Sequence, residues 1–241
     1  MNVTDYVSGK IERLPKGYVF TYADFIVEVN KKEAIIKALN RMAASGKIMK
    51  LAKGRYYKPE CSPFGNLPPN QAQVVKDLLE DNGKIMGYLT GYSIYNQLGL
   101  TTQVSNTIQI GRNQVRPGFK RGYYTISFIK QKNVITKENI PLLQILDSIR
   151  YIKKIPDASI ESSCKRLLAI IKKLSESETN TMVRLALKYS PATRALLGAL
   201  LEQLQKGEAT ASLLKSLNPI TKYKLSSAAK VLSTTEKWNI L

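Results

Sequence analysis

The sequence predicts a mixed α+β protein with more than one domain, and three observations support this expectation. The chain has 241 residues, which is long for one small module. Apolar residues make up 44% of it, enough for buried cores. Their spacing is helical over residues 1–45, changes to a period of about two after Gly46, and becomes helical again from Asn139 onward.

The N-terminal pattern predicts three helices. Residues 2–14 carry an apolar face at helical spacing. The segment Thr21 to Asp24 has the form of a loose capping box and precedes a second helix, predicted from Phe25 to about Val29. Asn30 ends that helix and caps a third, at about residues 31–45.

Two strands joined by a tight turn follow the third helix. The alternating stretches are Lys47 to Leu51 and Gly54 to Lys58, with Lys53 in the turn between them. Three helices followed by a basic hairpin are the order of a winged helix-turn-helix, predicted over residues 1–60. In such a domain the third helix enters the major groove of DNA and the hairpin, the wing, follows the backbone.

The polar face of the third helix suits base recognition. Asn40 has a donor and an acceptor that match adenine, and Arg41 matches guanine, whereas the lysines of the wing suit phosphates. An ordinary small α+β domain with a solvated basic face is the alternative. The predicted DNA contacts are Lys31, Lys32, Lys37, Asn40, Arg41, Lys50, Lys53, Arg55 and Lys58.

The charge of the chain favours a polyanionic partner. There are 37 Lys and Arg against 18 Asp and Glu, a formal net charge of +19. The region from Lys31 to Glu60 is the densest, with nine basic and two acidic residues. An excess of this sign attracts nucleic acid or another anionic surface and says nothing about the fold.

A proline-rich segment predicts the domain boundary. Residues 61–69 contain three prolines and a glycine, which favour a linker. The remaining residues, 70–241, are predicted as one C-terminal domain with an α+β part at 70–135 and a helical part at 136–241.

Within the α+β part we expect a helix from Asn70 to Asn82 and strands near 106–111 and 123–129. Basic residues beside these strands form a second basic surface, for which a solvated sheet face is the alternative. The surface comprises Arg112, Arg116, Lys120 and Arg121. The helical part is predicted to contain helices that begin near Asn139, Ile160, Thr181, Pro191, Thr210 and Leu225.

Several enzyme classes are excluded by composition. The chain has no histidine, so mechanisms with a His base and zinc sites built from imidazole are ruled out. Its two cysteines, Cys61 and Cys164, form no Cys-x-x-Cys pair and are expected to be reduced. No phosphate-binding loop or nucleophile elbow is present. We therefore expect no catalytic residues, no cofactor and no metal. No signal peptide or membrane span is predicted, which favours the cytoplasm.

The sequence resembles the AbiEi-like antitoxins of bacterial type IV toxin–antitoxin, or abortive infection, systems. The more specific matches are Leu98 to Gln103 and Pro191 to Leu201. The shorter matching pieces are Gly17 to Thr21 with Asp24-Phe25, Ala38-Leu39, Gly46 to Ile48, Gly54 to Pro59, Thr90-Gly91 and Asn96-Gln97.

This resemblance implies a winged helix that binds inverted repeats in the promoter of its own operon and represses it. It also implies a C-terminal domain that counters a nucleotidyltransferase-like toxin without a stable complex. The predicted winged helix, together with this resemblance, therefore predicts a DNA-binding transcriptional autorepressor and antitoxin. Two alternatives stay open: a module that neutralises an acidic toxin by direct binding, and an enzyme that modifies the toxin.

Overall fold

The computed structural model describes residues 2–26 and 31–241. It contains both helices and sheets, so the predicted α+β class is confirmed. Contacts divide the chain into two compact units. Unit 1 comprises residues 1–77 and 120–124, and unit 2 comprises residues 78–119 and 125–241.

Unit 1 alternates helices with the strands of a small sheet. The sheet has the order β1-β3-β2, and both strand pairs are antiparallel. The elements are helix α1 (Val3–Arg13), strand β1 (Val19–Thr21), a 3-10 helix (Tyr22–Phe25), helix α2 (Lys32–Ala44) and strands β2 (Met49–Ala52) and β3 (Arg55–Tyr57).

The predicted capping box is present at the start of the 3-10 helix. The Thr21 amide donates to the Asp24 carboxylate at 2.7 Å, and the Ala23 amide donates to the Thr21 hydroxyl at 3.2 Å. The helix predicted after it, from Phe25 to Val29, and the cap assigned to Asn30 lie outside the described residues, apart from Phe25 and Ile26. Phe25 ends the 3-10 helix.

Aromatic rings fill the core of unit 1 between the helices and the sheet. Phe20 meets Phe25 edge-on, with 5.4 Å between ring centroids, and stacks on Tyr56 at 6.4 Å. Ile35 and Leu39 of α2 are buried in the same cluster. The packing fixes α2 against β1 and β3, because large rings in a dense interior leave little freedom.

The predicted hairpin is confirmed as β2 and β3. Gly54 at the turn has a φ of 70°, a conformation that glycine adopts without steric cost. The register shifts between Lys50 and Ala52, which marks a bulge in β2. Successive side chains of a strand point to opposite faces, yet Tyr56 and Tyr57 are both buried, so both faces of β3 are covered.

The segment predicted as a linker, residues 61–69, instead contributes to a second hairpin, formed by β4 (Glu60–Ser62) and β5 (Gly65–Leu67). Pro63 lies in its turn and the other two prolines follow β5, so they bound the strands rather than interrupt them. The two units divide after Asp77, later than the boundary expected from composition.

The helix predicted from Asn70 to Asn82 was also wrong in its second half. Two short helices, α3 (Gln71–Val74) and α4 (Lys76–Leu79), are followed by a hairpin of β6 (Glu80–Asp81) and β7 (Lys84–Ile85). Its turn residues Asn82 and Gly83 have φ values of 48° and 78°. Asn-Gly strongly favours such a turn, and this local preference prevailed over the apolar period.

Unit 2 contains strands that confirm the predicted alternation. The sheet has the order β10-β11-β9-β8, and β9 pairs with β11 in parallel, with Thr107 opposite Thr125. The elements are β8 (Tyr88–Thr90), helix α5 (Tyr92–Tyr95), β9 (Thr107–Arg112) and β11 (Tyr124–Lys130), together with β10 (Phe119–Arg121), whose last two residues are assigned to unit 1.

The C-terminal part is helical, as predicted, although the helix expected to begin near Thr181 begins at Glu176. Ser159 and Ser175 cap two of its helices, and Pro191 is the first residue of a third. The helix expected over Leu225 to Leu232 is reduced to a 3-10 turn at Ala228–Lys230. The α-helices are α6 (Asn139–Arg150), α7 (Ile160–Lys172), α8 (Glu176–Ala186), α9 (Pro191–Gln203) and α10 (Ala211–Lys215).

No helix within the described ranges is both long and apolar enough to span a bilayer. Cys61 is exposed and Cys164 is buried, and both are free thiols. Burial raises the pKa of the Cys164 thiol to about 11, so this sulfur is protonated and unreactive at neutral pH.

Candidate nucleic-acid interface

Helix α2 has one buried face and one exposed face. Ile35, Leu39 and Met42 are buried in unit 1. Lys37 and Asn40 are exposed, and helical spacing places them on the side opposite this stripe. The exposed face therefore offers a cation and an amide side chain to a partner.

The two lysines at the start of α2 differ in their surroundings. Lys31 is the N-cap residue, is exposed and makes no capping hydrogen bond through its side chain. The Lys32 ammonium lies 5.0 Å from the centroid of the Tyr22 ring, in a cation–π contact. Both lysines are exposed, and the ring of Tyr22 orients the Lys32 side chain.

A hydrogen bond joins the exposed face of α2 to the hairpin. The Tyr56 hydroxyl donates to Asn40 Oδ1 at 2.6 Å. Burial raises the pKa of Tyr56, so the hydroxyl keeps its proton and acts as the donor. Asn40 is exposed, and its amide nitrogen donates to no described residue, so it is available as a donor, while the bond to Oδ1 holds β3 beside the helix.

Two lysines of the hairpin are exposed next to this link. Lys50 lies opposite Tyr56 in the β2–β3 register, and Lys53 is in the turn before Gly54. Neither forms an ion pair with any residue that the structure describes. Their positive charges are therefore available to an anion, alongside Lys37.

Arg41 makes a weak contact across to α1. Its Nη2 lies 3.5 Å from the Thr4 hydroxyl oxygen, at the outer limit of a hydrogen bond. The side chain is exposed. A contact of this length is easily exchanged for a better acceptor such as a base edge or a phosphate.

Arg55 is engaged within unit 1, unlike the lysines of the hairpin. Its Nη2 lies 2.8 Å from Asp77 Oδ2, and the same carboxylate forms two bonds with Arg121, of 2.6 and 3.1 Å. Arg121 also donates to the Val74 carbonyl at 2.7 Å and is 7% exposed. One aspartate thus holds two arginines that the sequence analysis assigned to two different basic surfaces.

The electrostatics of Asp77 reflect this pairing. Burial raises the pKa of its carboxyl, but the hydrogen bond from Arg121 and the charges of Arg121 and Arg55 outweigh burial and lower the pKa below the ordinary 3.8. The carboxylate is therefore ionised at neutral pH, and it offsets the charge of both guanidinium groups.

Lys58 stabilises a helix end. Its ammonium donates to the carbonyl oxygens of Glu12 and Leu14, at 2.7 and 2.9 Å. These carbonyls lie in the last turn of α1 and at its C-cap, where a cation is favourable. The predicted role of Lys58 in phosphate contact competes with this capping, so we leave it, like Arg55, out of the proposed contact surface.

The predicted second basic surface is not a single set of free cations. Arg112 donates to the Met86 carbonyl at 3.2 Å, and Arg116 lies 5.0 Å from the Phe119 ring. Lys120 is exposed, whereas Arg121 is buried against Asp77. Arg112 and Arg116 belong to unit 2, whereas Lys120 and Arg121 belong to unit 1.

Unit 2 contains a buried polar cluster that sequence reasoning missed. The Asp147 carboxylate accepts hydrogen bonds from the hydroxyls of Tyr88, Thr90 and Tyr189, at 2.7, 2.7 and 2.9 Å. Gln131 donates to both tyrosine hydroxyls at 2.8 Å. Burial raises the pKa of Asp147, although the three hydrogen bonds oppose that shift. The cluster joins β8, α6 and the turn after α8.

Comparison with known proteins gives a family but no activity. A family model described as "Family of unknown function (DUF6088)" matches residues 6–180, well over half of the chain. No curated protein matches. The crystal structure of the RV2827C protein from Mycobacterium tuberculosis aligns with a TM-score of 0.49 and 14% identity, covering 100% of this chain and 91% of that chain. At that level of similarity it supports no argument.

Proposed function

The chain belongs to the DUF6088 family, whose function is unknown, and we propose that its unit 1 binds duplex DNA as a winged helix-turn-helix. The order α1, β1, 3-10 helix, α2, β2, β3 with the sheet order β1-β3-β2 supports this proposal. In such domains the helix before the hairpin enters the major groove. Here that helix is α2.

The hydrogen bond between Tyr56 and Asn40 is the observation that carries the proposal. It makes the exposed face of α2 and the hairpin one surface, on which Lys37, Lys50 and Lys53 have no ion-pair partner among the described residues. Three cations beside an outward amide suit a duplex, since phosphates bind the lysines and a base edge binds the amide.

We further propose that the protein represses its own operon and acts as an antitoxin against a nucleotidyltransferase-like toxin, in the cytoplasm and without a cofactor. This part of the proposal depends on the sequence resemblance to the AbiEi-like antitoxins. A docking module for an acidic toxin is a weaker candidate, because Arg112 and Arg121 are engaged within their own units.

DNA binding is tested with a fluorescein-labelled duplex that contains the sequence upstream of the gene, and with a scrambled duplex. We expect the wild-type chain to bind the upstream duplex more tightly. The variant Lys37→Glu with Lys53→Glu should lose about tenfold or more in affinity at 0.1 M salt, because two phosphate contacts become repulsive.

The control variant, Lys172→Glu with Lys173→Glu, has the same net charge but changes exposed residues of unit 2. Equal losses in both variants would mean that net charge alone governs binding and would contradict the proposal. The antitoxin role is tested separately, by co-expression with the product of the adjacent gene. Growth rescue that needs unit 2 supports it, and no rescue refutes it.

A further inference from the structure

Unit 2 contains a cavity of about 380 Å³ that none of the preceding roles uses. It lies between the end of α6, the start of α9 and the segment around Tyr223, and Ile240 also lines it. This volume falls within the range of small-molecule sites in proteins.

The cavity is lined by basic as well as apolar residues. Five of the lining residues are basic and none is acidic, and none of the five forms an ion pair with a described residue. Like charges gathered around one concave surface repel one another unless an anion is bound. The five are Arg150, Lys153, Lys154, Lys222 and Lys224.

Two tyrosines give this site a defined geometry. Arg150 and Lys154 lie 4.9 and 5.6 Å from the centroid of the Tyr151 ring, which orients both cations. The Tyr223 backbone is fixed, because its amide donates to the Asn239 carbonyl at 2.7 Å and its carbonyl accepts from the Leu241 amide at 2.9 Å.

The hydroxyl oxygen of Tyr223 is buried, so other atoms of this residue line the cavity.

The remaining walls are apolar. Ile149, Leu196, Leu225 and Ile240 line the cavity, and Thr193 lies in the first turn of α9. An inorganic ion would leave these walls in contact with water. The lining therefore fits a ligand with several negative charges at one end and an apolar ring system at the other.

We propose that this cavity binds a nucleoside triphosphate, with its phosphates among the five cations and its base against the apolar wall. The site lies wholly within unit 2, so the proposal does not depend on DNA binding by unit 1. It makes the C-terminal unit a nucleotide-binding unit.

Isothermal titration calorimetry of the full chain with ATP, CTP and inorganic tripolyphosphate tests the proposal. We expect at least one nucleotide to bind more tightly than tripolyphosphate. The double variant Lys222→Glu, Lys224→Glu should lower the affinity for that nucleotide by about tenfold or more, because two attractive charges become repulsive.

Lys172→Glu with Lys173→Glu is the matched control and should bind the nucleotide as the wild-type chain does. Three results would overturn the proposal: no binding of either nucleotide, equal affinity for tripolyphosphate, or an equal loss in the control. Binding of a 5′-phosphorylated oligonucleotide without binding of free nucleotides would also overturn it. The variant Lys37→Glu with Lys53→Glu should retain nucleotide binding, which separates this test from that of the DNA proposal.

Discussion

The basic residues of unit 1 fall into two groups that the sequence does not distinguish. Arg55, Lys58 and Arg121 contact acceptors within the unit, whereas Lys50 and Lys53 are exposed on the hairpin. The first group stabilises the fold and the second is available to a partner. A high density of positive charge therefore overstates the size of a binding surface, because part of it is already offset.

The strongest test of the first group removes its shared acceptor. Asp77→Ala leaves two guanidinium groups without their carboxylate, and Arg121 is 7% exposed. We expect a loss of about 2 kcal/mol in the free energy of unfolding, less than for a fully buried pair because Asp77 is 34% exposed. Urea denaturation measures it. The matched variant Glu60→Ala, at an exposed acid, should be nearly neutral, and equal losses would contradict the assignment.

The same carboxylate predicts a pH dependence. The pKa of Asp77 is lower in the folded protein than its ordinary value of 3.8. Its stabilisation is therefore present above that value and is lost as the pH falls through the folded pKa. Denaturation series from pH 7 to pH 2 should show a shallower acid decline for Asp77→Ala than for the wild-type chain. Parallel curves would show that the arginines do not depend on this charge.

A matched pair of lysines tests the two groups directly. Lys58→Met removes two hydrogen bonds to carbonyls at the end of α1 and should cost about 1 kcal/mol of stability while DNA affinity is kept. Lys53→Met should have the opposite result: unchanged stability and weaker binding to every duplex. Urea denaturation and fluorescence anisotropy measure the two quantities. If both variants change stability and DNA affinity in the same way, the division into structural and DNA-contacting lysines is contradicted.

The smallest expected effect comes from the link between helix and hairpin. Tyr56→Phe removes one hydrogen bond to Asn40, for an expected loss of about 1 kcal/mol or less. Freed from this bond, the Asn40 side chain loses its fixed orientation, so the preference for the upstream duplex over the scrambled one should narrow. Competition binding measures that ratio, and an unchanged ratio would mean that the bond does not position Asn40.

Much of the fold was predictable because its elements have strong local signals. The apolar period located α1, α2 and the C-terminal helices, and alternation located the first hairpin and β9 and β11. The incorrect predictions arose at local turns. The Asn82-Gly83 turn makes a hairpin of the segment predicted as the end of a helix. The proline-rich composition of residues 61–69 predicted a linker, but the prolines there flank two short strands.

The candidate site was less predictable, because whether a basic residue is paired or free depends on residues that are far from it in the sequence. Arg55 and Asp77 are 22 positions apart, and Arg121 and Asp77 are 44 apart. No spacing rule links such pairs before the chain is folded. The same holds for Asp147, whose partner Tyr88 lies 59 positions away. Sequence patterns identify which residues carry charge, but only the packed units show which charges are still free.

The salt dependence of duplex binding tests the central claim most directly. The triple variant combines Lys37→Ala, Lys50→Ala and Lys53→Ala. In this variant the slope of log affinity against log salt concentration should be shallower by about 2.7, because each lost phosphate contact contributes about 0.9. The control Lys172→Ala, Lys173→Ala and Lys188→Ala changes exposed residues of unit 2 and should keep the wild-type slope. Equal slopes in the wild-type chain and the first variant would contradict the account.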